Sequence, residues 1–372
     1  MMNIALLCVS KAWGGLELNV YRLATRLQDR GHCVTLIASP ETPIYRKAIG
    51  EGLSVFPIQV GLAYFDLKAA RQLAHTLRKY RTDILIFSVA KDNYVAGWTK
   101  LFFYRKLRLY YLQQMQLGIP KKGLIQTWLY RNLAGWIAPL QVLAQQVTQK
   151  THMPPDRIHV VPLGMDTRPF VQLVSRQSEA RTILKLPADA FVAGIIGRID
   201  PDKGQEYLIK AAALLHQRGH LIHVLLVGAE THGDTRNYPG YLRELTQQLR
   251  LSAYVHFREF LEQPEMAFAA LDVFVMASLG ETYGMVTIEA MATGLAVIGT
   301  DSGGTPELLG NGQYGQLVKA ADEPELAHAL ERLIKSPATR REMGNAAQAH
   351  AQRNFDYQQQ CEALERILSR NV

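Results

Sequence analysis

From the first residues to nearly the last, short runs of β-branched and aliphatic residues alternate with longer segments of helical period. Runs near Asn3–Val9, Cys33–Ala38, Ser54–Ile58, Asp83–Phe87, Arg108–Gln113, Gly135–Ala138 and Arg157–Val161 predict a first series of strands. A second series is predicted near Phe191–Ile196, Ile222–Val227, Tyr254–Phe257, Val273–Ala277, Ala296–Thr300 and Gly315–Val318. Helical segments fill the gaps, so the strands are expected to run parallel with crossover helices, which makes the fold class α/β. From Pro162 to about Pro187 the rhythm breaks on Pro162, Gly164, Pro169 and the polar segment Ser175-Arg176-Gln177-Ser178, and the domain junction is expected there. The chain is thus expected to divide into domains over residues 1–165 and 166–352 and a closing segment 353–372. In that segment Cys361, Leu364, Ile367 and Leu368 recur at helical spacing and need an apolar surface to cover.

A length of 372 residues supports two cores rather than one. Open parallel sheets bind ligands beyond the carboxyl ends of their strands, so two facing domains are expected to form a cleft, with function in the loops that follow strands. The longest apolar stretches fall well short of the ~18 residues of a membrane-spanning helix. The start, Met1 to Val9, lacks a basic leader and a small-residue cleavage site and reads as a buried strand, so a cytoplasmic location is expected. Cys8, Cys33 and Cys361 are scattered and without metal-ligand spacing, which fits reduced structural thiols. Charge is unevenly spread: residues 1–170 carry 22 Lys and Arg against 9 Asp and Glu, whereas the remainder carries 19 against 24. A cationic half suits an anionic partner such as lipid headgroups, nucleic acid or a phosphorylated acceptor, or simply a solvated surface.

Two constellations carry chemistry. Gly197-Arg198-Ile199-Asp200-Pro201-Asp202-Lys203-Gly204 follows a predicted strand and opens a helix. There the guanidinium of Arg198 and the ammonium of Lys203 are suited to neutralise a diphosphate. Asp200 and Asp202 form an Asp-x-Asp triplet, but the adjacent cations supply the charge a metal would, and Asp202 reads equally well as the N-cap of the next helix. The second is Glu281-Thr282-Tyr283-Gly284-Met285-Val286-Thr287-Ile288-Glu289, with Glu281 in a loop and Glu289 expected two turns into a helix. Gly284 permits close backbone approach, so that the amides of Met285 and Val286 can hold a phosphate or a sugar hydroxyl. A carboxylate there can accept two vicinal hydroxyls of a ribose or hexose.

With Gly14-Gly15-Leu16-Glu17 after the first strand and Gly303-Gly304-Thr305-Pro306-Glu307 further on, these motifs make the chain similar, over nearly its whole length, to the retaining glycosyltransferases of the sucrose-synthase-like family, glycosyltransferase family 4. The resemblance implies GT-B architecture: two Rossmann-like domains facing each other across a cleft, the N-terminal one taking the acceptor and the C-terminal one the nucleotide-sugar donor, with the last helix crossing back to the N-terminal domain. It implies that Arg198 and Lys203 clamp the diphosphate, Glu289 binds the ribose and Glu281 faces the donor sugar, with amides from Met285 and Val286. Gly14 and Gly15 resemble the loop that closes over the donor, the Gly303-Gly304 turn supports the site, and Thr305 lines it. Metal-independent retaining transfer follows, with no cofactor, from a UDP- or GDP-sugar to a sugar or lipid-linked acceptor, in glycolipid or cell-surface polysaccharide synthesis. Nucleic acid is not an expected partner.

The sequence departs from the family at one place. Many relatives have a histidine at the end of an N-terminal-domain strand, whereas here the strand ends Tyr110-Tyr111-Leu112-Gln113-Gln114 and no histidine lies between His75 and His152. Gln113 or Gln114 is expected to donate a hydrogen bond in its place, without a titratable charge. The alternative is a catalytically decayed nucleotide-sugar-binding or scaffold protein. A dinucleotide oxidoreductase is disfavoured because no Gly-x-Gly-x-x-Gly follows the first strand. Acceptor contacts are expected from the loops at Tyr64-Phe65, Asp92-Asn93 and Lys121-Lys122. The basic-aromatic tract Trp98 to Arg108 suits either an anionic membrane surface or a packed core with snorkelling cations.

Overall fold

The computed structural model describes residues 1–62, 64–230, 237–259, 261 and 263–370. Each predicted run holds a strand: β1 Asn3–Cys8, β2 Cys33–Ala38, β3 Val55–Pro57, β4 Ile84–Phe87, β5 Arg108–Leu112, β6 Gly135–Ala138, β7 Ile158–Val160, β8 Phe191–Ile196, β9 Ile222–Val227, β10 Val255–Arg258, β11 Val273–Met276, β12 Ala296–Thr300 and β13 Gln316–Val318. They form two sheets, in the orders β3-β2-β1-β4-β5-β6-β7 and β10-β9-β8-β11-β12-β13, and every pairing is parallel. Helices cover both faces of such a sheet, and the central strands are accordingly buried along their length: β4 reads Ile84-Leu85-Ile86-Phe87 and β11 reads Val273-Phe274-Val275-Met276 without a polar position.

The first compact unit comprises Met1–Gly164 together with Tyr357–Val372; the second is Met165–Asp356. In the first, the closing helix Tyr357–Ser369 buries Cys361, Leu364 and Leu368, three of the four positions its period singled out. Its polar margin is fastened to the helix Gly15–Asp29 and its surroundings. Arg30 makes a forked pair with Glu365 at 2.7 and 2.8 Å, His32 approaches the same carboxylate at 2.9 Å, and Arg26 lies over the Tyr357 ring. The Arg30 guanidinium, followed by His32, holds the Glu365 carboxyl down to about 2. Cys8 and Cys361 are buried and Cys33 is exposed, all as free thiols, and burial pushes the Cys8 thiol up to about 12. Among the described residues no helix is long and apolar enough to cross a membrane.

The second unit packs the helices Gln205–Gln217 and Glu323–Lys335 against its sheet around Leu208, Leu226, Val275, Ile298 and Leu330. At its β9–β10 edge, His223 Nδ1 lies 2.9 Å from His256 Nε2, and the rings stack. Burial, then the neighbouring His223, pulls His256 down to about 4, so folding favours its neutral form. The unfolded chain then binds more protons between about pH 6.5 and 4, and this part of the stability is present above pH 6.5 and lost as the pH falls through 4. Urea midpoints measured across that window should decline less steeply in His256→Gln than in the wild type. Equal slopes would assign the acid loss to other groups.

Candidate functional site

In each sheet one central strand is flanked by neighbours whose connections leave in opposite directions: β1 between β2 and β4, and β8 between β9 and β11. The crevice at such a switch point, beyond the carboxyl ends of the strands, is where open parallel sheets take ligands. Both sequence constellations of the second unit open at that end. Gly197–Gly204 follows β8, and the loop Ala277–Gly284 follows β11.

The two loops are laced together. Lys203 Nζ donates to Glu281 Oε2 at 2.5 Å, with both side chains largely buried. The Leu279 amide donates to the Asp202 carbonyl at 2.9 Å. Gly204 adopts φ +71°, and a Cβ there would stand 2.1 Å from the Ala277 carbonyl oxygen, so the first loop rests backbone to backbone on the end of β11. Behind them, the loop after β12 supplies Gly304, whose amide donates to the Glu281 carbonyl at 2.8 Å. Gly303, at φ +63°, would place a Cβ 2.1 Å from that same oxygen. Three loops thereby fix the position of one carboxylate and one ammonium.

Side chains that sequence reasoning did not single out complete this support. The Ser278 hydroxyl lies 3.4 Å from Glu281 Oε2, Thr300 Oγ1 donates to the Ser278 carbonyl at 2.6 Å, and Ser302 Oγ donates to the Leu279 carbonyl at 2.6 Å. Their signal was positional: each follows or closes a strand at its carboxyl end. Arg198 is exposed at the mouth of the first loop, and its carbonyl accepts from Gln205 Nε2 at 2.8 Å.

Several expectations are corrected in detail. Asp202 is not a helix N-cap. Asp200 accepts from the Asp202 amide and turns the chain through a short 3-10 segment, Pro201–Lys203, and Gly204 caps the helix Gln205–Gln217. The second helix begins at Met285 with Gly284 at φ +79° as its N-cap, so Glu289 lies one turn in rather than two. Residues four apart share a helix face, which aligns Glu289 with Met285. The amides of Met285 and Val286 belong to the first turn, where a helix supplies no carbonyl four residues back. Thr305 has no accessible surface and packs its methyl where Gly299 leaves room for it, which places it behind the site rather than on its wall.

In the first unit, Gly14 is the extended N-cap of the helix Gly15–Asp29, and its amide donates to Glu17 Oε2 at 2.9 Å. Both glycines are exposed, and a Cβ on Gly15 would meet nothing within 4 Å. The two glutamines have different surroundings. Gln113 is fully buried, accepting from Trp136 Nε1 at 2.9 Å and donating to the Met115 carbonyl at 3.0 Å. Gln114 is half-buried beyond the end of β5, donating to Ser88 Oγ at 3.2 Å and accepting from Asn19 Nδ2 at 3.0 Å. Gln114 is therefore the one within reach of a ligand. Asp92 and Asn93 are buried rather than presented to an acceptor, and burial pushes Asp92 up to about 8.

Comparison with known proteins adds three findings. The family model described as Glycosyl transferases group 1 matches residues 176–350, and that described as Glycosyltransferase Family 4 matches residues 13–168. Over 205 residues the chain is 32% identical to the D-inositol 3-phosphate glycosyltransferase of Stackebrandtia nassauensis, covering 54% of this chain and 46% of that one. The Corynebacterium urealyticum protein of the same name is 36% identical over 202 residues, 53% and 47% of the two chains. The match thus spans about half the length of these relatives. Among solved structures, Anabaena HepE in complex with UDP superposes with a TM-score of 0.88 at 24% identity over 99% of this chain and 100% of that one. Sucrose-phosphate synthase from Thermosynechococcus elongatus superposes with a TM-score of 0.79 at 20% identity, over 99% and 98%. At these identities the likeness concerns the fold.

Proposed function

Since this chain belongs to glycosyltransferase family 4 and has its GT-B architecture, we propose that it transfers a hexose-type sugar, with retention at the anomeric carbon, from a nucleotide-diphosphate sugar to a sugar or lipid-linked acceptor. The observation that carries this reading is the Lys203–Glu281 pair held at 2.5 Å at the switch point of the second sheet. Lys203 and Arg198 neutralise the diphosphate, Glu289 accepts the ribose hydroxyls, Glu281 faces the sugar, and the amides of Met285 and Val286 receive further oxygens. Because the cations arrive on loops fixed before the donor does, they stabilise the leaving diphosphate without reorganisation, which is the term that dominates such catalysis. The leaving phosphate, not a side chain, takes the acceptor proton, so no protein nucleophile and no metal are called for. Gly14 and Gly15 leave room for a donor to approach the backbone, and Gln114 stands where many relatives have a histidine. HepE binds UDP and UDP-glucose, which favours a UDP-sugar as donor. The product class is glycolipid or cell-surface polysaccharide, made at the cytoplasmic side of the cell.

A ligand that binds only the folded state raises its unfolding temperature. UDP should do so in a panel of nucleoside diphosphates, and UDP-sugar should be hydrolysed slowly to UDP with a chelator present. Glu289→Ala should weaken the UDP shift and raise KM for the donor by about tenfold, the value of one charge-assisted hydrogen-bond pair. An unchanged KM in that variant would remove Glu289 from the donor site. The absent histidine favours one second reading, a nucleotide-sugar-binding scaffold, which predicts a full UDP shift with no release of UDP from the sugar.

A further inference from the structure

Two of the loops expected to meet an acceptor are brought together in the first unit by residues far apart in sequence. Tyr64 and Phe65, Tyr94 and Trp98, and the turn leading into Leu124 and Ile125 line a groove of about 700 Å3. Trp98 organises it: its indole nitrogen donates to the Tyr64 carbonyl at 2.8 Å, its ring meets Phe65 edge-on at 5.3 Å, and it stacks on Trp128 at 5.4 Å. The rim is apolar and projects outward. Leu124 is 91% exposed, Ile125 57%, Tyr64 61% and Phe65 53%. Single exposed apolar residues need no explanation, but a contiguous aromatic and aliphatic patch does.

Charge says what covers it. Between Gly61 and Ala134 the chain carries 13 Lys and Arg against 3 acidic residues, and Lys121-Lys122 lead directly into Leu124. The three acids are all engaged: Asp66 accepts from the Ala69 and Gly61 amides, Asp83 lies 3.5 Å from Arg108, and Asp92 is buried. A second copy of this chain would bring the same cationic surface against itself. An anionic bilayer satisfies both features at once, since its interface accepts aromatic and aliphatic side chains while its phosphates attract lysines.

We propose that this groove and its rim dock the protein on an anionic lipid bilayer, with Leu124, Ile125, Tyr64 and Phe65 entering the interfacial layer and Lys121 and Lys122 facing lipid phosphates. The surface belongs to the first unit, whereas Lys203 and Glu281 belong to the second, and the proposal does not rest on the transferase reading. The test is co-flotation of the full chain with phosphatidylcholine vesicles containing or lacking phosphatidylglycerol. Binding is expected only with the anionic lipid, and should weaken as salt screens it. Leu124→Glu/Ile125→Glu should lower vesicle affinity roughly tenfold or more, because two apolar side chains leave the interface, while its unfolding temperature and its UDP-induced shift stay at wild-type values. Lys121→Glu/Lys122→Glu should lower it similarly at low salt. The proposal is overturned if the wild type binds neither kind of vesicle, as it would if the groove serves a protein partner. It is equally overturned by equal binding of neutral and anionic vesicles, or by wild-type binding of the Leu124→Glu/Ile125→Glu protein.

Discussion

Lys203→Ala should lower kcat/KM for the nucleotide-sugar donor by roughly 10²- to 10³-fold, the range seen when one prepositioned transition-state donor is removed. Two losses combine. The cation that faces the leaving diphosphate disappears, and the carboxylate of Glu281, 2.5 Å away and only 13% exposed, loses its ammonium partner and repels the incoming phosphates. The second loss makes a specific signature. Lys203→Ala/Glu281→Gln should be less impaired than the sum of the two single changes, because neutralising Glu281 removes the repulsion but not the missing cation. Steady-state kinetics on the four proteins read this coupling. Activity of Lys203→Ala within threefold of wild type would place the diphosphate elsewhere.

Gly204→Ala should cost roughly 2–4 kcal/mol of unfolding free energy, combining a strained backbone with a steric conflict. At φ +71° an L-residue is disfavoured, and the added Cβ would stand 2.1 Å from the Ala277 carbonyl oxygen and 2.8 Å from its carbon. Neither atom belongs to a side chain that could rotate away, so β11 and the first loop must part. Activity should fall with stability, since that contact sets Lys203 beside Glu281. Gly15→Ala is the natural control, with space on every side and no positive φ. Urea denaturation resolves the difference, and a Gly204→Ala midpoint equal to wild type would show that the two loops adjust independently.

Among the described residues the strands were legible because strands covered on both faces are written as uninterrupted apolar runs, such as Ile84 to Phe87 and Val273 to Met276. The loops 197–204 and 277–284 were legible as loops because Gly, Asp and Pro interrupt the pattern soon after such runs. What sequence could not assign was which of two like neighbours does what. Gln113 and Gln114 are adjacent and identical in chemistry, yet strand alternation turns the first into the core against Trp136 and leaves the second beside Ser88. Asp200 and Asp202 are equally good caps in composition, but Asp200 caps the 3-10 turn that Pro201 opens, and the helix after it is capped by Gly204. The family resemblance implied that Thr305 lines the site, and its burial depends on Gly299, a residue from the strand before. That Tyr64 and Leu124 line one groove is a tertiary fact that no local pattern encodes.

One topological detail bears on how the chain is made. The polypeptide leaves the first unit after Gly164 and returns at Tyr357, and the two passages lie side by side, with the Met165 amide donating to the Phe355 carbonyl at 2.8 Å. The second unit is thus an uninterrupted stretch of sequence, whereas the first is completed only when the helix Tyr357–Ser369 brings Cys361, Leu364 and Leu368 to it. Vectorial synthesis ordinarily lets the leading domain mature first. Here the stretch 165–356 can close on itself before the helix Tyr357–Ser369 is added to the first unit, so the helix Gly15–Asp29 gains its packing partner only after the second unit is complete in sequence.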